Sequence, residues 1–150
     1  MVMIRPYAAH DLAEWRRLRT ALWPDQTEAD MTAWLARPDA AVLVAERAAE
    51  PSADRITGHL SGFAEVGERS HADGCDSSPV AYLEGWYVDP DRRRQSIGAQ
   101  LIRAVEAWAR SRHYTELASD TWLANDASQR AHERLGFIET DRVVLYRKAL

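Results

Sequence analysis

The chain has 150 residues, 46% of them hydrophobic and 28% charged, with a formal net charge of -4. That length and apolar share suit one compact domain over residues 1–150 with a core of its own, and interspersed charge of both signs disfavours wholesale disorder. An acidic balance excludes a general nucleic-acid binder, and a lone cysteine, Cys75, excludes an internal disulfide or a metal cluster. No apolar run approaches the roughly 20 residues of a membrane span, and the start MVMIRPYAAHDL lacks a signal-peptide block. A cytoplasmic protein with no nucleic-acid, membrane or metal partner is expected.

In chain order, MVMIRPY reads as a first strand. Asp11 with Glu14 resembles a capping box, and Leu12, Trp15, Leu18 and Leu22 follow at helical spacing up to Pro24. A second helix is predicted over Glu28 to Arg37, closed by Pro38. AVLVAER (41–47) and ITGHLSGFAEV (56–66) read as strands, separated by the polar AAEPSAD. GERSHADGCDSSP is a long irregular loop, a length often associated with function. VAYLEGWYV (80–88) is a strong strand ended by Asp89 and Pro90. Ser96 to about Arg112 is predicted helical, with Ile97, Leu101, Val105, Trp108 and Ala109 on its apolar face. TELAS (115–119) is a short strand, and Asn125 to Leu135 a helix closed by Gly136 in a left-handed cap. FIETDRVVLYRKAL (137–150) is expected to complete the sheet as two strands around Thr140 and Asp141. The order implies a mixed α/β sheet with helices on both faces.

The stretch YVDPDRRRQSIGAQLI joins a strand, a tight turn and a helix start. Unpaired N–H groups and the positive dipole end favour an anion there, and small Ser96 and Gly98 allow close approach. Arg93 and Arg94 add charge beside it, so a pyrophosphate fits. A purely structural strand-turn-helix accounts for the same residues. A Walker phosphate loop lacks its Gly-Lys-Ser/Thr ending, and a dinucleotide fingerprint lacks its spaced glycines.

Arg93, Arg94, Gln95, Ser96, Ile97 and Gly98, followed by Leu101 and Ile102, resemble the acetyl-coenzyme A signature of the GNAT acetyltransferase superfamily, Arg/Gln-x-x-Gly-x-Gly/Ala. Ser96 stands where the family usually has glycine. NDASQRAHERLGF resembles the second signature, with His132 where many members have a tyrosine acid. LRTALWP, DGCDSSP, YLEGWYV, ELASDT and ETDRVVLYRKAL narrow the resemblance to aminoglycoside 6′-N-acetyltransferases of type I. It implies the GNAT fold, acetyl-CoA as co-substrate, and an aminoglycoside acceptor acetylated on its 6′-amino group, conferring antibiotic resistance. Donor contacts are then expected at Trp86, Tyr87, Val88, Arg93 through Gly98, and Asn125. Acceptor contacts are expected at Trp23, His71, Glu84, Asp120 and Asp141, with tyrosine and glutamate expected in close relatives at the positions of His71 and Asp141.

The residues themselves agree with that acceptor. Glu84 interrupts an apolar strand, Asp120 ends TELAS and Asp141 lies in the final turn, so three carboxylates at strand ends can gather a polycation. Trp23 and Trp122 can cover sugar faces. Each also has a plain structural role open to it: Glu84 as an edge charge, Asp120 as a turn cap, Trp23 as core, His132 on a helix face. Direct attack by a neutral amine within a ternary complex is the expected mechanism, with the GWYV strand splayed from its neighbour and an N–H near Val88 polarising the thioester carbonyl. Glu84, Asp120 and His132 are the catalytic candidates. Cys75 lacks a partnered base, which disfavours an acyl-enzyme. A GNAT enzyme acting on polyamines or protein N-termini, or a non-catalytic acyl-CoA sensor, are the competing readings. The apolar tail VVLYRKAL and the habits of the family suggest a homodimer.

Overall fold

The computed structural model describes residues 1–48 and 59–150. Strand β1 (Val2–Pro6) leads into helices α1 (Leu12–Leu22) and α2 (Glu28–Leu35), then strands β2 (Ala40–Arg47), β3 (Leu60–Arg69) and β4 (Val80–Val88). Helix α3 (Ile97–Ser111), strand β5 (Leu117–Ser119) and helix α4 (Asp126–Arg134) follow. The five strands lie in the order β1-β2-β3-β4-β5, with β1 to β4 antiparallel and β5 parallel to β4. This is the expected mixed, mostly antiparallel sheet.

Helices cover both faces because side chains alternate across a strand. On β2, Leu43 and Ala45 face α3, where Ile97, Leu101, Ile102, Val105 and Ala109 meet them. Val42 and Val44 point the other way, into Trp15 and Leu18 of α1 and Met31 of α2. Covered on both sides, β2 and β3 read as nearly continuous apolar runs. Each buried large side chain contributes about 2 kcal/mol of transfer free energy.

Three local expectations change. Asp11 does not cap α1; its buried carboxylate accepts from Arg5 (2.6 and 2.8 Å), His59 (2.7 Å) and the Ala8 N–H (2.8 Å), while Glu14 pairs with Arg17. An ion pair reaching β1 outcompetes a local cap. Thr27 and Asp30 instead form a reciprocal capping box at α2. Leu12 lies exposed and contributes nothing to the core. The strand expected from 56 begins at Leu60, residues 56–58 lying outside the described residues, as does most of the polar AAEPSAD.

Among the described residues the predicted terminal strands are not formed. Residues 137–150 form no ladder, and Ile138, Val143, Val144, Leu145 and Tyr146 are exposed. Their alternating apolar pattern suits a strand, but a strand needs a partner. Here β5 offers only three residues, paired to β4.

Candidate functional site

The two predicted halves of the site are built in different ways. The first is a turn at the end of β4. Asp89, almost fully buried, receives Arg17 (2.9 and 3.0 Å) from α1 and Arg47 (3.1 Å) from β2, and its N–H donates to Ser61 O. It therefore ties the turn to the frame. Sequence reasoning treated Asp89 only as a strand breaker.

Beyond it, Arg93 donates to Val88 O at 3.0 Å and lies over the Tyr87 ring, while Arg94 and Ser96 take left-handed φ values of 63° and 61°. Such alternation turns successive N–H groups toward one concavity. Ser96 is the N-cap of α3 but makes no side-chain cap bond, leaving the first-turn amides open. Ile97 buries its side chain in the core and offers only its backbone, whereas Arg94 and Gln95 are exposed. Gly98 lies against Trp86, where a Cβ would come within 2.8 Å of the indole. An uncapped helix N-terminus flanked by arginines fits a pyrophosphate.

Ladder partners hold Ala81, Tyr82 and Leu83 to β5, and among the described residues nothing pairs with Glu84 through Val88 on that side. The predicted splay of GWYV is therefore present. His132 sits beside it, edge-on to Trp86 (5.7 Å between centroids) and to Phe137. Its Nδ1 lies 2.8 Å from Ser128 O and its Nε2 2.9 Å from Ser119 Oγ. A carbonyl only accepts, so Nδ1 carries the proton and both nitrogens are engaged. Asn125 caps α4 through Ser128 N–H at 3.1 Å.

The second half is a cleft of about 450 Å³ lined by Arg19, Trp23, Gln26, Trp34, Glu65 and Glu84, among others. Glu84 owes its position to a bulge: Glu65 faces Gly85 and Val66 faces Leu83, leaving Glu84 as the extra residue. Gly85 is required there, because a Cβ would enter the Trp23 ring. Arg19 stacks 4.8 Å from the Trp23 centroid and binds Glu65 at 2.7 and 3.3 Å. Trp15 Nε1 also donates to Glu65 (3.1 Å). Burial pushes the Glu65 carboxyl upward against the pull of Arg19.

Glu84 is held by both arms of Arg69, at 2.8 and 2.7 Å. The Arg69 guanidinium lies 3.5 Å from the Tyr82 ring centroid. Burial, with the Asp120 carboxylate adding to it, pushes the Tyr82 phenol up to about 12. Asp120 does not line the cleft; its charge acts on Tyr82 and Arg69 beside Glu84.

His71 and Asp141 are exposed and stand outside the cleft lining. Their segments do meet, since Thr140 packs on Gly74. Trp122 is exposed, and burial with nearby Glu116 raises the Cys75 thiol, keeping it protonated. Arg19, Glu65, Arg69 and Tyr82 were missed from sequence. Glu65 carried the same signal as Glu84, a lone acid in an apolar strand.

Elsewhere, His10, Asp11 and His59 bring three ligand-type atoms within 4.8 Å of one another. Arg5 already engages both Asp11 oxygens, so a cation there would meet a guanidinium. Among the described residues no helix is long and apolar enough to cross a membrane.

An uncapped helix start after a splayed strand suits the diphosphate of a coenzyme A, and this chain belongs to the acetyltransferase (GNAT) family, whose model matches residues 9–137. Among its relatives, aminoglycoside N(6')-acetyltransferase type 1 of Klebsiella aerogenes is 42% identical over 99% of this chain and 97% of that protein. The protein of the same name from Serratia marcescens is 46% identical over 94% of this chain and 95% of its own length. The solved structure of AAC(6')-Iy in complex with the bisubstrate analog CoA-S-monomethyl-acetylneamine superposes with a TM-score of 0.86 at 39% identity, covering 100% of this chain and 99% of that one.

Proposed function

We propose that this chain, as a single domain over residues 1–150, transfers the acetyl group of acetyl-CoA to the 6′-amino group of aminoglycosides and so confers resistance to them. The observation that carries this reading is the pairing of an anion-seeking turn with an acid-bearing cleft on one splayed strand. The names of the relatives and the bisubstrate complex of AAC(6')-Iy support the same acceptor.

The open amides of α3, with Arg93, Arg94, Gln95, Ser96, Ile97 and Gly98, hold the pyrophosphate. Trp86, Tyr87 and Val88 line the pantetheine path, and Asn125 fixes the α4 side of it. The donor supplies an activated thioester. The backbone N–H near Val88 polarises its carbonyl where negative charge develops. Across the strand, Glu84 and Asp120 collect the ammonium groups, Trp23 covers a sugar face, and His71 and Asp141 contact the acceptor from the 70–79 loop and the tail. A bound ammonium must lose a proton before it can attack, and Glu84 takes it through water or passes it to solvent. His132, with both nitrogens engaged, is a positioning group for the β4–β5 splay. The protonated Cys75 thiol fits direct attack in a ternary complex rather than an acyl-enzyme.

The exposed apolar tail finds its partner in a second copy, giving a homodimer, and a cytoplasmic setting matches the single unpaired thiol. Light scattering should give twice the mass of one chain, and truncation after Gly136 should halve it. Thiol release from acetyl-CoA tests the activity: tobramycin or kanamycin should trigger it. Release only with spermidine or peptides, or donor binding without turnover, would overturn the assignment.

A further inference from the structure

We propose that Arg69 is a built-in counter-cation of the acceptor cleft: it occupies the Glu84 carboxylate in the free protein, and an incoming ammonium must exchange with it. The inference rests on Glu84 being the acceptor-binding acid. Both oxygens of Glu84 are taken by Arg69, at 2.8 and 2.7 Å, so no carboxylate edge is left for a second bidentate partner. The same guanidinium lies on the Tyr82 ring at 3.5 Å, and the Asp120 charge acts on both groups. One cation therefore pairs with one of the two acids assigned to the acceptor and feels the charge of the other.

Its position suits exchange rather than support. Arg69 is the last residue of β3, at the mouth of the 70–79 connection, and its side chain is 43% exposed against 22% for Glu84. An ion pair that open is held by about 1 kcal/mol or less, so replacing it is cheap. By contrast, Arg19 is sealed against Glu65 at 9% and 1% exposure and has no such freedom. Arg69 keeps Glu84 compensated while the cleft is empty and discriminates among acceptors, because only an amine that supplies charge at that point repays the exchange. Amines that stay neutral in the cleft should bind poorly for this reason.

The experiment is steady-state kinetics with tobramycin on Arg69→Gln, Arg69→Lys, Glu84→Gln and Arg69→Gln/Glu84→Gln, with thermal melts confirming folding. Arg69→Gln should lower KM for tobramycin about 3- to 5-fold, the worth of a half-exposed pair, with kcat and the acetyl-CoA KM held. Arg69→Lys, which pairs without the planar fork, should fall between it and the parent. In the Glu84→Gln background the gain should vanish. In the unaltered protein, the ¹⁵N Nε resonance of Arg69 should shift when tobramycin saturates the cleft. A KM that rises or stays unchanged in Arg69→Gln, with Glu84→Gln still crippling tobramycin turnover, overturns the exchange alone. A Glu84→Gln protein that handles tobramycin normally overturns the acceptor reading and the exchange with it.

Discussion

The donor turn and the acceptor cleft flank the same strand but are made of different material. The turn is mostly backbone: the groups proposed to bind the donor are first-turn amides flanked by arginines, beside two left-handed residues, Arg94 and Ser96, and anchored by Asp89. The cleft is side chains: Arg19 and Trp23 at the end of α1, Glu65 and Arg69 from β3, Glu84 from a bulge in β4. A contiguous stretch of chain can encode the first. The second exists only when α1, β3 and β4 meet. Damage should therefore divide: changes in the cleft alter acceptor chemistry or the core beneath it, and changes in the turn alter donor affinity in smaller steps.

The largest effect expected is on stability. Arg19→Ala leaves the buried Glu65 without its cation, with only Trp15 Nε1 donating to it, costing about 3 kcal/mol in urea unfolding. A loss below about 1 kcal/mol would mean that Glu65 is solvated through the cleft. Next, Glu84→Gln should lower kcat/KM for tobramycin about 100-fold while leaving acetyl-CoA affinity within about twofold. Equal losses for both substrates would erase the division between the regions. Arg93→Ala should weaken acetyl-CoA binding about tenfold and flatten its salt dependence, as titration calorimetry at two ionic strengths will show. Unchanged affinity would remove this side chain from the phosphate site and leave the amides alone in charge. The smallest effect is a gain: Ser96→Gly relieves a left-handed residue and should raise stability by about 1 kcal/mol. A loss instead would show that the Ser96 hydroxyl serves the turn in a way its geometry does not reveal.

Local signals carried far in this chain. The α3 stripe, the Asn125 cap and the Gly136 left-handed stop all follow from neighbours within a few residues, and all are present. Asp11 shows the limit. Its spacing to Glu14 spells a capping box, yet Arg5 on β1 and His59 before β3 claim the carboxylate, an outcome set 48 residues away along the chain. Of the acceptor candidates, Trp23 and Glu84 line one cleft, Asp120 acts by its charge on Tyr82 and Arg69, and His71 and Asp141 lie exposed beyond it. Arg69 gave no local sign at all, because an arginine at a strand end is ordinary until its partner is known.

By itself the sequence determined the strand-turn-helix around Ser96 and the helix boundaries beside it, because caps and apolar periodicity are short-range properties, while its resemblance to a family supplied the class of chemistry. Tertiary structure decided which charges are neighbours: Glu65 with Arg19, Glu84 with Arg69, Asp89 with Arg17 and Arg47. It also decided that the tail, strand-like in pattern, stays unpaired within one chain. Both outcomes have one cause. Ion pairing and strand pairing each require a second group from elsewhere, and only folding brings that group within reach or leaves it missing.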